Sequence, residues 1–347
     1  VGGTLKPTGI YPFTDFKPEK TNSYEFGLAV RLWKKFNAEV TYYKSNTFNQ
    51  TFQGSLPEST GYKSIYLQAG NVENRGWEAS FNYSDKFKNG FAVSSTVTFS
   101  KNINEIKEMV SDYHTDLMSE PLNIPEVLKD RGRTILKVGG SIHDIYATRF
   151  FKKDGQGFVS VSTDGKFEME DGAPVYLGKV APKFNMGWNN SISYKGLGLS
   201  FLINGRFGGV VTSSTEAILD RFGVSQRSAD ARDNGGALFP GQGTVNAKAY
   251  YQMIGTGNYQ TSSYYLYSAT NVRLQELTLS YTMPNKWFGN ILKDVNISFI
   301  ANNPWMLYCK APFDPELTPS TATFGQGNDY FMQPSVRSFG FGVKFKL

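Results

Sequence analysis

The stretch Val336-Arg337-Ser338-Phe339-Gly340-Phe341-Gly342-Val343-Lys344-Phe345-Lys346-Leu347 decides how this chain folds. Phe339, Phe341, Val343, Phe345 and Leu347 are large and apolar, and Ser338, Gly340, Gly342, Lys344 and Lys346 alternate with them. A period of two is the pattern of a strand with one apolar and one wet face. If the apolar face points inward, the chain is a soluble β-protein; if outward, it is a membrane barrel. Eight further segments repeat the pattern: 24–33, 36–47, 76–83, 91–100, 184–194, 197–207, 272–283 and 295–301. Aromatic residues sit near the ends of many apolar faces, with Leu, Val or Ile in the middle, as in the two interfacial girdles of an outer-membrane barrel.

Composition narrows the classes further. The 347 residues include 35 Gly, 27 Phe, 20 Tyr and 5 Trp. No run approaches the roughly 20 apolar residues of a transmembrane helix, whereas barrel strands need only about 10 alternating residues each. The net charge of +6 is mild and its Lys and Arg are scattered, which argues against nucleic acid as a partner. The lone Cys309 excludes an internal disulfide framework, and with only His114 and His143 no metal site or cofactor is expected. There is no signal peptide and Val1 is not a natural start, so the chain reads as part of something longer.

The connections between segments are unequal. Lys34-Lys35, 84–90, Lys195-Gly196 and 284–294 are short; 49–75, 103–183, 211–271 and 303–335 are long. With alternating strand directions, all the long ones fall at one end, as in transmembrane barrels. Ile142 to Phe151 is strand-like inside the second long connection, as half of a loop hairpin or one of two extra wall strands, so about nine to eleven strands are expected. Helices are expected only at 119–129 and 215–222. An odd count of nine does not close a single-chain bacterial barrel, so residues 1–347 are expected to be the C-terminal part of a larger transmembrane antiparallel β-barrel.

Several motifs carry a resemblance. They are Phe16-Lys17-Pro18-Glu19-Lys20-Thr21-Asn22-Ser23-Tyr24-Glu25-Phe26-Gly27-Leu28, Thr41 to Thr47 (TYYKSNT), Ala69 to Glu78 (AGNVENRGWE), Val272 to Pro284 (VRLQELTLSYTMP) and Asn302-Asn303-Pro304-Trp305. Together with the terminal aromatic strand they resemble SusC-like TonB-dependent transporters from about Asp15 to the end; Leu347 stands where that family usually ends in Phe. The resemblance implies a barrel of about 22 strands in the outer membrane, plugged by an N-terminal domain. The plug and the TonB-contacting segment are not among residues 1–347. It further implies a SusD-like surface lipoprotein as lid, outer-membrane lipid around the wall, and TonB-driven import of an oligosaccharide or peptide.

Four residues are candidates for substrate contact. Trp305 and Tyr308 could stack on sugar rings, and Asp314 and Glu316 could accept hydroxyl hydrogen bonds. Alternatively, Pro312, Pro315 and Pro319 simply stiffen that loop. Asp154-Gly155, Asp164-Gly165 and Asp171-Gly172 lack calcium-loop spacing and read as turns. Gly205 to Gly209 lacks the helix and Lys-Ser/Thr of a phosphate loop, and His143-Asp144 has no nucleophile beside it. No catalytic constellation is present, so no enzyme is expected. The rival readings are a soluble all-β glycan-binding module and a SusC-like subunit of a larger outer-membrane assembly.

Overall fold

The computed structural model describes residues 9–11, 17–55, 61–109, 126–129, 134–156, 160, 168–239, 243–255, 264–289, 291–319 and 326–347. Nine long strands form the wall: β1 (Lys20–Leu32), β2 (Phe36–Ser55), β3 (Ser64–Lys86), β4 (Ala92–Glu108), β5 (Phe184–Tyr194), β6 (Leu197–Phe207), β7 (Asn271–Thr282), β8 (Lys293–Cys309) and β9 (Ser338–Lys346). Each pairs antiparallel with the next in the chain, giving an open sheet whose edges are β1 and β9. Ile10–Tyr11 adds a short parallel pairing to the start of β3.

The apolar face points out. On β9, Phe339 is 63% exposed, Phe341 82% and Val343 65%, and Tyr24, Phe26 and Leu28 of β1 are exposed likewise. Burying one such side chain gains roughly 1.5–3 kcal/mol, so the four left in water on β9 alone would forfeit about the whole stability of an ordinary domain. A soluble sheet would have covered them, and lipid satisfies them at no such cost. The soluble-module reading therefore fails on the direction of the side chains.

The inner face is polar because the register aligns polar positions across strands. Glu39 pairs with Ser80, Ser80 with Thr98, Thr98 with Gly187 and Gly187 with Asn204. The next row runs Thr41, Glu78, Ser100, Asn185 and Arg206. Side-chain amides bridge the strands on this face: Asn37 donates to Asn82, and Asn82 to Thr96 at 2.8 Å. The wall is also tightly packed at Gly76, over which Tyr43 lies, donating to Asn102 Oδ1 at 3.2 Å. A Cβ on Gly76 would strike the Lys101 carbonyl oxygen and come 2.5 Å from the Tyr43 hydroxyl. Gly76→Ala is expected to cost roughly 1–3 kcal/mol. Urea unfolding of the full-length protein in lipid vesicles reads this, and Tyr43→Ala in the same chain should restore part of the loss.

The turn end is built from tight hairpins. Trp33 and Lys34 take φ of 50° and 57°, and Lys35 N–H closes on Leu32 O at 3.1 Å, so this turn centres one residue earlier than Lys34-Lys35. Lys195 and Gly196 form the second, at φ 48° and 88°, with Tyr194 paired to Leu197. Such primed turns match the strand twist.

At the other end the wall outgrows its sequence pattern. β2 and β3 stay paired up to Ser55 and Ser64, well beyond the alternating segments 36–47 and 76–83. Above the bilayer both faces meet water, so alternation fades while the backbone ladder continues. The second long connection holds a four-stranded antiparallel sheet made by Glu126–Lys129, Thr134–Lys137, Asp144–Phe151 and Met169–Lys179. The strand-like run near Ile142 thus belongs to the loop, and among the described residues nine strands form the wall. The expected helix at 119–129 is corrected over Glu126–Lys129, which is a strand; 119–125 lie outside the described residues. Asp171-Gly172 lies inside a strand, whereas Asp154 accepts from Gln156 N–H at 2.9 Å as a turn residue. Asp164-Gly165 lies outside the described residues.

The third long connection carries α1 (Ser214–Arg221), α2 (Gln226–Asp233) and α3 (Ala247–Ile254), capped by Ser213, Ser225 and Asn246. α1 sits where the 215–222 pattern placed it. Asp220, fully buried, accepts hydrogen bonds from Ser225 Oγ (2.6 Å), Arg227 Nε (2.9 Å) and Tyr265 Oη (2.9 Å), and so fastens α1 to α2 and to Tyr265.

Candidate functional site

The inward rows of β2 to β6 line a cavity of about 580 Å³. Its walls are Glu39, Thr41, Glu78, Ser80, Thr98, Ser100, Asn185, Asn204 and Arg206, and Glu316 reaches it from the last long loop. The strands hold all of these side chains except Glu316 on a hydrogen-bonded backbone ladder, so that part of the surface is pre-set. It offers carboxylates, hydroxyls, amides and one guanidinium, the groups that exchange hydrogen bonds with a hydrated polar solute. The sequence signal for it was the Ser, Thr, Asn and Glu side of the alternation, in segments read for their apolar side.

Asp314 and Glu316 meet at Arg273. Both Asp314 carboxylate oxygens take hydrogen bonds from Arg273, at 2.7 and 3.2 Å, and Glu316 lies 3.0 Å from the same guanidinium. Arg273 and Asp314 are both buried at 8% and 7% side-chain exposure, whereas Glu316 is 39% exposed. Ser335 also donates to Asp314. Burial alone would raise the Asp314 carboxyl, but donation from Arg273, Ser335 and the Glu316 N–H outweighs it and holds the group below its ordinary value. Asp314 is thus the clamp that fixes this loop to the wall, and Glu316 is the member that reaches the lumen.

Trp305 and Tyr308 do not join them. Trp305 pairs with Leu274, Leu274 with Ile203 and Ile203 with Trp188, all on the outer face. Tyr308 pairs with Val272, which pairs with Gly205 and through it with Met186, on the same face. Bulges on either side of Leu274 keep this phase. Trp305 meets Asp314 only in a smaller cavity of about 300 Å³ between upper β8 and the 334–337 segment. The structure thus brings Asp314 and Glu316 together at Arg273, sets Trp305 beside Asp314 in the smaller cavity, and puts Tyr308 on the outer face. Both aromatic rings are outward and exposed, the position of an interfacial girdle.

The loops above the lumen interlock. Asn104 Oδ1, at the upper end of β4, accepts from Ser141 Oγ at 2.9 Å and from Ile142 N–H at 3.0 Å. Ile106 exchanges backbone hydrogen bonds with Gly139 and Gly140 at 2.8 Å. Ile106 and Val72 of the wall and Ile135, Leu136 and Ile145 of the loop sheet are fully buried, so the loop sheet is seated on the inner wall. Asp144 accepts from Ser141 N–H at 2.8 Å, and its burial raises the carboxyl above its ordinary value; it is a turn acceptor in a packed loop. Thr212–Ser213 pairs in parallel with Asn328–Asp329, and Ser213 Oγ donates to buried Asp329 at 2.8 Å, tying the third and fourth long loops together. Among the described residues no cluster of His, Cys, Asp and Glu could hold a metal ion.

Comparison with known proteins agrees with this geometry. The model of the family described as TonB dependent receptor-like, beta-barrel matches residues 3–261. TonB-dependent receptor P3 of Formosa agariphila is 24% identical over 377 residues, covering 100% of this chain and 36% of that protein. TonB-dependent receptor SusC of Bacteroides thetaiotaomicron is 22% identical over 317 residues, 87% of this chain and 30% of SusC. Among solved structures, that of the RagAB peptide transporter superposes with a TM-score of 0.68 at 18% identity, over 94% of this chain and 35% of its counterpart, a likeness of fold. The chain spans about a third of the length of the relatives it matches. Because the family match runs over most of its length, the chain belongs to the TonB dependent receptor-like β-barrel family, a family of the outer membrane.

Proposed function

We propose that this chain is the C-terminal portion of a SusC-like transporter that imports an oligosaccharide or a peptide across the outer membrane, driven through TonB. The observation that carries this is a wall of nine strands among the described residues, apolar outside and polar inside, in which β1 and β9 have no further strand paired beyond them. Open edges leave unpaired N–H and C=O groups, which in a membrane only further strands can satisfy. Supporting it are the family match, the likeness to SusC, and the fold shared with the RagAB peptide transporter. On this reading further strands complete the barrel, a plug fills the lumen beside the polar rows, and a SusD-like lipoprotein closes over the interlocked loops. Glu316 is the substrate-contacting residue, and Asp314 positions it through Arg273.

The test uses the full-length protein in its own cells. Uptake of labelled oligosaccharide and peptide pools is compared with and without the gene, and with and without an uncoupler. Proteins that copurify with it from the outer membrane in mild detergent are identified. Gene- and energy-dependent uptake of one pool, with a surface lipoprotein retained, supports the reading. Unchanged uptake of both pools overturns it in favour of a role in a larger outer-membrane assembly.

A further inference from the structure

A charged cluster on the outer face of the wall is not used by any transport step. The outward residues of β2 ascend from Tyr42 to Lys44, and those of β3 from Trp77 to Arg75. Tyr42 and Trp77 pack with ring centroids 4.9 Å apart as part of the outer aromatic collar. The next step toward the long-loop end pairs Lys44 with Arg75, and Lys101 of β4 is level with Trp77. Lys107 lies further up the same face of β4. The cations thus begin where an aromatic girdle ends, which in an outer-membrane barrel is the headgroup layer.

The carboxylates of the cluster support the cations from beneath. Glu73 lies 2.8 Å from Lys44 and 3.7 Å from Lys107 and also bonds Arg75; Glu105 lies 2.7 Å from Lys107 and 3.3 Å from Arg75. Glu73 is only 4% exposed, whereas Lys44 is 43% and Arg75 and Lys107 are each 35% exposed. Among the described residues no carboxylate pairs with Lys101, which is exposed. Four cations stand around the two acids that pair with them, and Glu73 is the covered member while Glu105 is 27% exposed. An ion-pair ladder that served stability alone would need no surplus and would hide both signs alike.

The cluster is also local. At the upper ends of β5 and β6 the corresponding outer positions are Phe184 and Phe207, stacked 4.8 Å apart, and on β8 they are Trp305 and Tyr308. We propose that Lys44, Arg75, Lys101 and Lys107 form a docking surface for a phosphate-bearing lipid headgroup of the outer leaflet. Glu73 and Glu105 hold the cations in place. Charge complementarity selects the headgroup, and continuity with the aromatic collar sets its depth, the acyl chains lying over Tyr42 and Trp77.

The test uses the full-length protein purified from outer membranes in a nonionic detergent. Retained lipid is counted by native mass spectrometry, and thermal unfolding is followed with added phosphatidylglycerol, phosphatidylcholine or inorganic phosphate. Wild type is expected to retain a phosphate-bearing lipid and to be stabilised by phosphatidylglycerol only. Lys44→Gln, Lys101→Gln and Lys107→Gln combined should weaken retention by roughly a hundredfold. Lys101→Gln alone loses no ion pair, so it reports on lipid even where the triple variant fails to fold, and should weaken retention about fivefold. Equal retention by wild type and Lys101→Gln, or equal stabilisation by phosphatidylcholine, overturns the proposal and leaves a structural ladder. Equal stabilisation by inorganic phosphate overturns the lipid source in favour of a soluble anion.

Discussion

Arg273→Ala is expected to release the last long loop from the barrel wall and to cost roughly 3–5 kcal/mol, the usual penalty for stranding buried charge. Among the described residues Arg273 is the cation that ion-pairs with both Asp314 and Glu316, and removing it leaves the Asp314 carboxylate at 7% exposure with Ser335 and a backbone N–H as its hydrogen-bond donors. Limited proteolysis at 310–319 and the thermal midpoint of the full-length protein in detergent both read the effect. A variant as protease-resistant as wild type would show that the clamp does not hold the loop. The acid response gives an independent check. The Asp314 carboxyl is held below its ordinary value in the folded protein, so its stabilising contribution is present at neutral pH and above the unfolded value near 3.9. It is lost as pH falls through the lower folded value. Wild type should therefore keep the loop protected down to about pH 4 and open it below, whereas Arg273→Ala should show no such acid step in that loop.

Phe341→Arg is expected to destabilise the inserted barrel by roughly 2–4 kcal/mol, the cost of a lipid-facing cation near the bilayer midplane. Phe341 pairs with Phe299, and along β8 that level lies between Val295 near the turn end and Trp305 at the upper girdle. The two rings pack 5.4 Å apart. The control is Lys344→Gln, on the inward face of the same strand, which is expected to stay within about 0.5 kcal/mol of wild type as an ordinary polar surface change. Folded fraction after insertion into vesicles, read by the heat-dependent shift in electrophoretic mobility, separates the two. Equal folding of both variants would contradict the outward orientation of Phe341.

The strand ends followed from local chemistry. Lys195-Gly196 makes its turn because glycine accepts the positive φ that a primed turn demands, and α1 starts at a serine cap. Where the pattern stopped, tertiary structure took over. Residues 48–55 and 64–71 remain strand because backbone pairing continues above the bilayer, although no face there is selected for greasiness. Asp144–Phe151 is strand-like by itself, yet its membership in a loop sheet rests on pairing with Met169–Lys179. Trp305 and Tyr308 lie near Asp314 in the chain, and only the register of β7 and β8 shows that both sit on the outer face, with Trp305 beside Asp314 in the smaller cavity.

Alternation, with its period of two and its unequal connections, determined that this chain is built of two-faced strands with long loops at one end, because side-chain direction in a strand is set locally. The sequence left open which face meets lipid, and that choice depends on how nine strands curve together. The tertiary structure alone brought together Glu39, Glu78, Arg206 and Glu316, residues distant in the chain, because only cross-strand register and a clamped loop bring such positions to one cavity.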